Sequence, residues 1–235
     1  MKAFLKNAYL ALVGADTETS RAVEMIGIAL AGGGAVLDVG CGYGRYLQRF
    51  AERGIEATGV DVNPEILRAV QARGLKAMTP EEYLASGARP KVLLMAHVIE
   101  HFAPSELVAF MDGWLDRLAE GGELVIVTPL MSPHFYDDFD HIKPYHPEGL
   151  QMVFGGAQAQ VQYWSRHRLE LADVAFRRSP WRATLTRALY RGGPAAWPYY
   201  IANALAALAF RLSGGLLGRK TGWIGRFRKI GAAPR

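Results

Sequence analysis

One cysteine, Cys41, stands among the 235 residues, so no disulfide can form within the chain. That excludes a small secreted scaffold held by disulfides and suits a reducing, cytoplasmic setting. Acidic residues are missing from the end of the chain, since none follows Asp173. From Val174 onward there are 12 Lys or Arg and no Asp or Glu, whereas the first 173 residues carry 15 basic and 22 acidic side chains. The net charge of +5 therefore splits into −7 and +12. Such a split points the tail toward an anionic surface or substrate. The uninterrupted apolar run of that tail, Ala204–Phe210, falls short of the roughly 20 residues a bilayer-spanning helix needs. Internal repeats and low-complexity segments are absent, which excludes solenoids and collagen-like chains.

What is present reads as one core with an appendage. The opening "MKAFLKNAYLALVGA" resembles a signal peptide only weakly and is read as an amphipathic first helix. A second helix is expected over 18–31. Apolar runs at 35–40, which ends in glycines, and at 91–96 read as buried strands, and 56–62 and 123–129 read as further strands. Between them, 44–54, 63–74 and 104–122 read as helices with glycine stops, Pro104 opening the last. Strand and helix alternating at this pitch predict an α/β fold, a doubly wound, mostly parallel, Rossmann-like sheet preceded by N-terminal helices. After Pro129 the alternation stops. Residues 131–148 gather three histidines, three aspartates and four aromatics in one loop, and "PEGLQMVF" follows as a short helix. A strand pair is expected within 160–180. The domain expectation is 1–180, comprising helices at 1–34, a core at 35–129 and an acceptor-side region at 130–180, with 181–235 a basic, apolar helical extension.

"LDVGCGYGR" (37–45) falls at the first strand-to-helix turn, where a doubly wound sheet binds its ligand. Gly40, Gly42 and Gly44 permit close backbone approach. A dinucleotide fingerprint would need glycine at 45, and that residue is Arg45. Asp61, at the end of the next strand, is placed to accept two ribose hydroxyls.

"VLDVGCGYGRYL", "GVDVNPEIL", "VLLMAHVIEHF" and "GGELVIVTP", spanning 36–129, resemble the successive motifs of class I S-adenosylmethionine-dependent methyltransferases. The resemblance implies a methyltransferase using S-adenosyl-L-methionine. It implies that the loop of Asp38, Gly40, Cys41, Gly42, Tyr43 and Gly44 holds the methionine part of that cofactor. Asp61 and Val62 would meet the ribose, Met78 the adenine, and Ala96 with His97 the region near the amino group. Many family members carry an acidic residue after the third strand; here the segment is "LKAMTPEEYL", with Glu81 or Glu82 as the substitute.

"HVIEHF" (97–102) also reproduces the H-x-x-E-H order of one class of zinc peptidases. That chemistry needs both histidines on one continuous helix, and Pro104 breaks any helix through 97–104. The strand-end reading places His97 beside the cofactor and Glu100 and His101 near the acceptor. Ubiquinone-pathway O-methyltransferases carry a Glu-x-x-Glu-His variant here, implicated in holding a divalent metal. His97 replaces its first glutamate, and no metal ligand set is assigned. "DHIKPYHPEGL" (140–150) resembles a segment of methyltransferases associated with glycan and lipid-linked sugar pathways. His141 is then the preferred general base, followed by His101 and His146, and Glu100 and Tyr145 line the substrate.

The tail at 194–230, with Trp197, Tyr199, Tyr200, Trp223 and Phe227 among basic residues, suits peripheral contact at the inner face of a membrane. Packing on the core or a homodimer is the alternative, and nucleic acid ranks below both. The expected activity is O-methylation of a glycan or lipid-linked acceptor. A quinol or phenol acceptor, with or without metal assistance in the manner of the ubiquinone-pathway enzymes, is second, and a non-catalytic membrane scaffold is last.

Overall fold

The structure is a computed structural model and describes residues 17–155 and 162–232. The helix expected within residues 1–15 lies outside the described residues. Helix α1 (Thr17–Ala29) precedes an alternating series: β1 (Val36–Val39), α2 (Arg45–Ala51), β2 (Ala57–Val60), α3 (Pro64–Gln71), β3 (Ala77–Met78), α4 (Pro80–Ala85), β4 (Val92–Ala96), α5 (Pro104–Leu115) and β5 (Glu123–Pro129). Helix α6 (Pro147–Phe154), strand β6 (His167–Pro180), helices α7 (Arg187–Arg191) and α8 (Trp197–Leu212) and strand β7 (Gly218–Ala232) complete it.

The boundaries follow local chemistry. Asn63 caps α3 by accepting from the Glu65 and Ile66 amides, with Pro64 at the first helical position. Thr79 and Glu82 form a reciprocal capping box at α4. Every residue of β1 and β4 is buried, as parallel strands covered on both faces must be.

The seven strands run in the order β3-β2-β1-β4-β5-β7-β6. β1 pairs in parallel with β2 and β4, β2 with β3, and β4 with β5, whereas β7 is antiparallel to β5. The winding reverses between β1 and β4, so their carboxyl ends open the crevice in which such sheets bind ligands. Alternate residues feed two cores. Leu37, Leu93, Met95, Leu124 and Ile126 meet Leu107, Met111 and Trp114 of α5 on one face. Val36, Leu94, Val125 and Val127 meet Met25 and Ile26 of α1 and Phe50 of α2 on the other. Each fully buried aliphatic side chain contributes about 1.5–3 kcal/mol.

Two features differ from the sequence expectation. The pair expected within 160–180 is one strand, β6, and its neighbour in the sheet is β7. Residues 222–228, expected in an extension, pair with β5 from Glu123↔Arg228 to Pro129↔Gly222. Trp223 and Phe227, expected at a membrane interface, are fully buried. The indole of Trp223 donates to the Tyr145 carbonyl at 2.8 Å.

By internal contacts the chain forms two compact units, and the described residues of the larger are 18–155, 162–175 and 222–232. The smaller takes in residues 176–221, the ends of β6 and β7 with α7 and α8. Within it the Asn203 side chain of α8 clamps residue 183, accepting from its amide at 2.7 Å and donating to its carbonyl at 3.2 Å.

Candidate active site

Five residues, Gly40–Gly44, link β1 to α2. Gly40, Gly42 and Gly44 all adopt positive φ (72°, 50° and 74°). At Gly40 space forbids a side chain as well, because a Cβ there would lie 2.6 Å from Val98 Cγ2. The second residue of "HVIEHF" is thus the floor against which the loop closes. Asp61 ties the loop to the end of β2: Gly42 N–H donates to Oδ2 at 3.0 Å and Asn63 N–H to Oδ1 at 2.9 Å. Each oxygen keeps a second lone pair for a ligand hydroxyl.

Asp38, inside β1, is 1% exposed, and neither of its carboxylate oxygens has a hydrogen-bond partner among the described residues. Burial, and secondarily the charge of Asp61, push its carboxyl up to about 7. A buried, unpaired carboxylate is costly, and a cationic partner relieves it.

At the end of β4, His97 takes a left-handed backbone (φ 58°), rare for a non-glycine residue. Its Nε2 lies 2.9 Å from Glu18 Oε1 on α1, and its Nδ1 lies 3.2 Å from Glu100 Oε1. Burial works against charge on the ring, but Glu100 and Glu18 outweigh it and raise the imidazole to about 9. Glu100 is fully buried, and its Oε2 accepts from the Thr128 hydroxyl at 3.0 Å. Ile99–His101 form a 3-10 turn and α5 starts at Pro104, so no continuous helix carries His97 and His101, and the peptidase geometry is absent.

The loop after β5 returns to this turn. Ile142 and Lys143 N–H donate to the Glu100 carbonyl at 2.8 and 3.2 Å. His141 Nδ1 lies 2.6 Å from the Phe135 carbonyl, and His101 Nδ1 lies 3.2 Å from that of Asp140. A carbonyl only accepts, so both histidines carry their proton on Nδ1 and keep an Nε2 lone pair. Their rings meet edge to face at 4.9 Å between centroids. Glu100, His101 and His141 each bring one ligand atom to within 4.8 Å of the others.

A family model described as "Methyltransferase domain" matches residues 15–172, more than half of the chain. The chain belongs to the methyltransferase-domain family. The ubiquinone biosynthesis O-methyltransferase of Xylella fastidiosa (strain 9a5c) is 26% identical over 166 residues, covering 64% of this chain and 67% of that protein. A SAM-dependent methyltransferase from Archaeoglobus fulgidus superposes with a TM-score of 0.56 at 21% identity, covering 90% of this chain and 92% of that one. The N-methyltransferase NodS of Bradyrhizobium japonicum WM9, solved with S-adenosyl-l-homocysteine, gives 0.53 at 14% identity, covering 95% and 99%. By fold and family this protein is a class I S-adenosylmethionine-dependent methyltransferase.

The residues of the methyltransferase fit that donor. Asp38, orphaned beside the glycine loop, is the partner a cationic amino group needs, and the donor's methionine part carries one. Cys41 is buried, and burial, with the charges of Asp38 and Asp61, drives its thiol up to about 12, so it packs rather than reacts. Tyr43 and Val62 stand exposed at the loop and after Asp61, Met78 is half-buried at the end of β3, and Ala96 is buried at the end of β4. Glu82 is committed to its cap, accepting from Thr79 N–H at 2.8 Å, which leaves Glu81 as the acidic side chain of that turn. Tyr145 is a core residue whose hydroxyl donates to the Phe102 carbonyl at 2.9 Å. His146 is exposed at the start of α6, outside the group formed by Glu100, His101 and His141.

Glu18 and Thr128 were not foreseen. Glu18 sits in the first turn of α1, where an acid ordinarily complements the helix dipole, and only the fold brings it to His97. The bridge has a pH signature. A histidine held near 9 in the folded protein, against 6.5 when unfolded, stabilises the fold fully below 6.5 and loses that contribution as pH rises to about 9. Melting curves across that window should show His97→Gln losing less stability than the wild type. Parallel curves would show that the bridge carries no charge.

Proposed function

We propose that this methyltransferase methylates a hydroxyl oxygen of a quinol- or phenol-type acceptor, with His141 as general base. The carrying observation is the His101–His141 pair beside Glu100, with both Nδ1 protons anchored on carbonyls. S-adenosylmethionine, when bound, supplies a methyl group already activated on sulfonium. The protein's own part is to align the acceptor and remove its proton. His141 Nε2 takes that proton, and Asp138 Oδ2 lies 3.7 Å from that nitrogen. The Phe135 ring, with centroids 4.7 Å apart, and the Phe135 carbonyl hold the imidazole in place. Asp61 and Asp38 serve the ribose hydroxyls and the amino group of the donor.

Several relatives are named for O-methylation in ubiquinone biosynthesis, which moves the preferred acceptor from a glycan or lipid-linked intermediate toward a quinol. Such acceptors partition to bilayers, so the enzyme is read as working at a membrane surface. No helix among the described residues is long and apolar enough to cross one. A second reading adds a divalent cation held by Glu100, His101 and His141; two imidazole nitrogens and a carboxylate oxygen are suitable donors. Donor labelled in its methyl group, offered with a catechol, a sugar alcohol and a primary amine, should label the catechol oxygen. Label on the amine alone would refute oxygen transfer. Loss of that activity in chelator, restored by added divalent ion, would favour the second reading.

A further inference from the structure

We infer that α8 is a membrane-docking element, which lays its exposed apolar face in the interface of an anionic bilayer. Trp197, Ile201, Leu205, Leu208 and Leu212 follow one another at spacings of four, four, three and four residues. At 3.6 residues per turn they fall within an arc of about 80°. All five are exposed, from 41% at Leu208 to 79% at Leu212. The opposite face turns inward: Ala207 is fully buried, Tyr199 and Phe210 are half-buried, and Asn203 makes the clamp on residue 183. The helix therefore leaves exposed an apolar stripe that an amphipathic helix on a water-facing surface would replace with polar side chains. Leu216 and Leu217, 75% and 66% exposed, prolong the patch just past the helix.

Charge names the occupant. Residues 176–221 include seven arginines and one lysine, and no acidic residue. A second copy of this unit would bring like charge to like, whereas anionic headgroups complement it. Trp197 at the start of the helix, and the exposed Trp181 and Tyr190, are the amphipathic rings that favour headgroup depth. A helix of 16 residues is about 24 Å long, shorter than the ~30 Å hydrocarbon core, so it lies along the surface. The inference deepens the reading of a membrane-partitioned acceptor but does not depend on that acceptor's identity.

The test is flotation of the full chain with vesicles, without donor or acceptor, so the catalytic reading is not at stake. Phosphatidylcholine vesicles containing phosphatidylglycerol should carry the protein. Removing the phosphatidylglycerol, or raising salt, should lower the bound fraction by about tenfold or more. The double variant Leu205→Glu, Leu208→Glu should lower it by a similar factor, with unchanged circular dichroism and donor affinity. Arg187→Glu with Arg191→Glu, both exposed and off the apolar face, should weaken binding while leaving the stripe intact. Wild-type and stripe-variant chains floating equally would overturn the inference. So would a wild type that ignores vesicles and instead forms a concentration-dependent dimer lost in the stripe variant.

Discussion

Asp61→Ala should weaken donor binding by at least about a hundredfold, measured by calorimetry with S-adenosylmethionine or its demethylated product. Two effects add. The carboxylate is assigned the ribose hydroxyls, and charge-assisted hydrogen bonds are worth about 1.5–3 kcal/mol each. It also accepts from Gly42 N–H at 3.0 Å and Asn63 N–H at 2.9 Å, so its loss leaves the glycine loop untethered. A loss of about 3 kcal/mol corresponds to slightly more than a hundredfold in Kd. Asp61→Asn keeps an accepting oxygen for one amide but removes the charge, and should fall between wild type and alanine. Wild-type affinity in the alanine variant would remove Asp61 from the donor site.

His141→Ala should lower kcat by about a hundredfold to ten-thousandfold, the range in which positioned general bases act, with donor affinity nearly unchanged. The split matters, because a collapsed loop would also raise KM for the acceptor. His141→Gln retains a donor toward the Phe135 carbonyl but has no basic nitrogen, so it should restore loop order without restoring rate. If turnover with the alanine variant is normal, the base lies elsewhere, and His101, whose Nε2 is equally available, is the next variant to make.

The glycine loop and the parallel core of this molecule are legible in the sequence because their signals are local. Three glycines at fixed spacing, an acid at the next strand end and all-apolar parallel strands depend on short stretches of chain. The parts that escaped depend on separation. Glu18 and His97 lie 79 positions apart, and a carboxylate in a helix's first turn has an ordinary explanation. In β7 the basic residues disguised a strand. Arg226 is nearly buried there, its guanidinium 2.8 Å from Glu123, while Trp223 and Phe227 fill the core from alternate positions. Of the charge that looks like a tail in the sequence, Arg226 and Arg228 lie against one acid on β5, Glu123. Tyr145 was assigned to the acceptor side by its neighbours, yet it packs inward.

One consequence follows from where β7 returns to the sheet. β6 ends at Pro180, β7 begins at Gly218, and the two are neighbours in the strand order. In sequence, the apolar, basic segment with α7 and α8 is therefore an insert between two strands that are neighbours in the strand order. Its length and composition can be rewritten without disturbing the register of β1, β4 or β5. Natural or engineered exchange of that insert should retarget the enzyme to a different surface while leaving its chemistry in place.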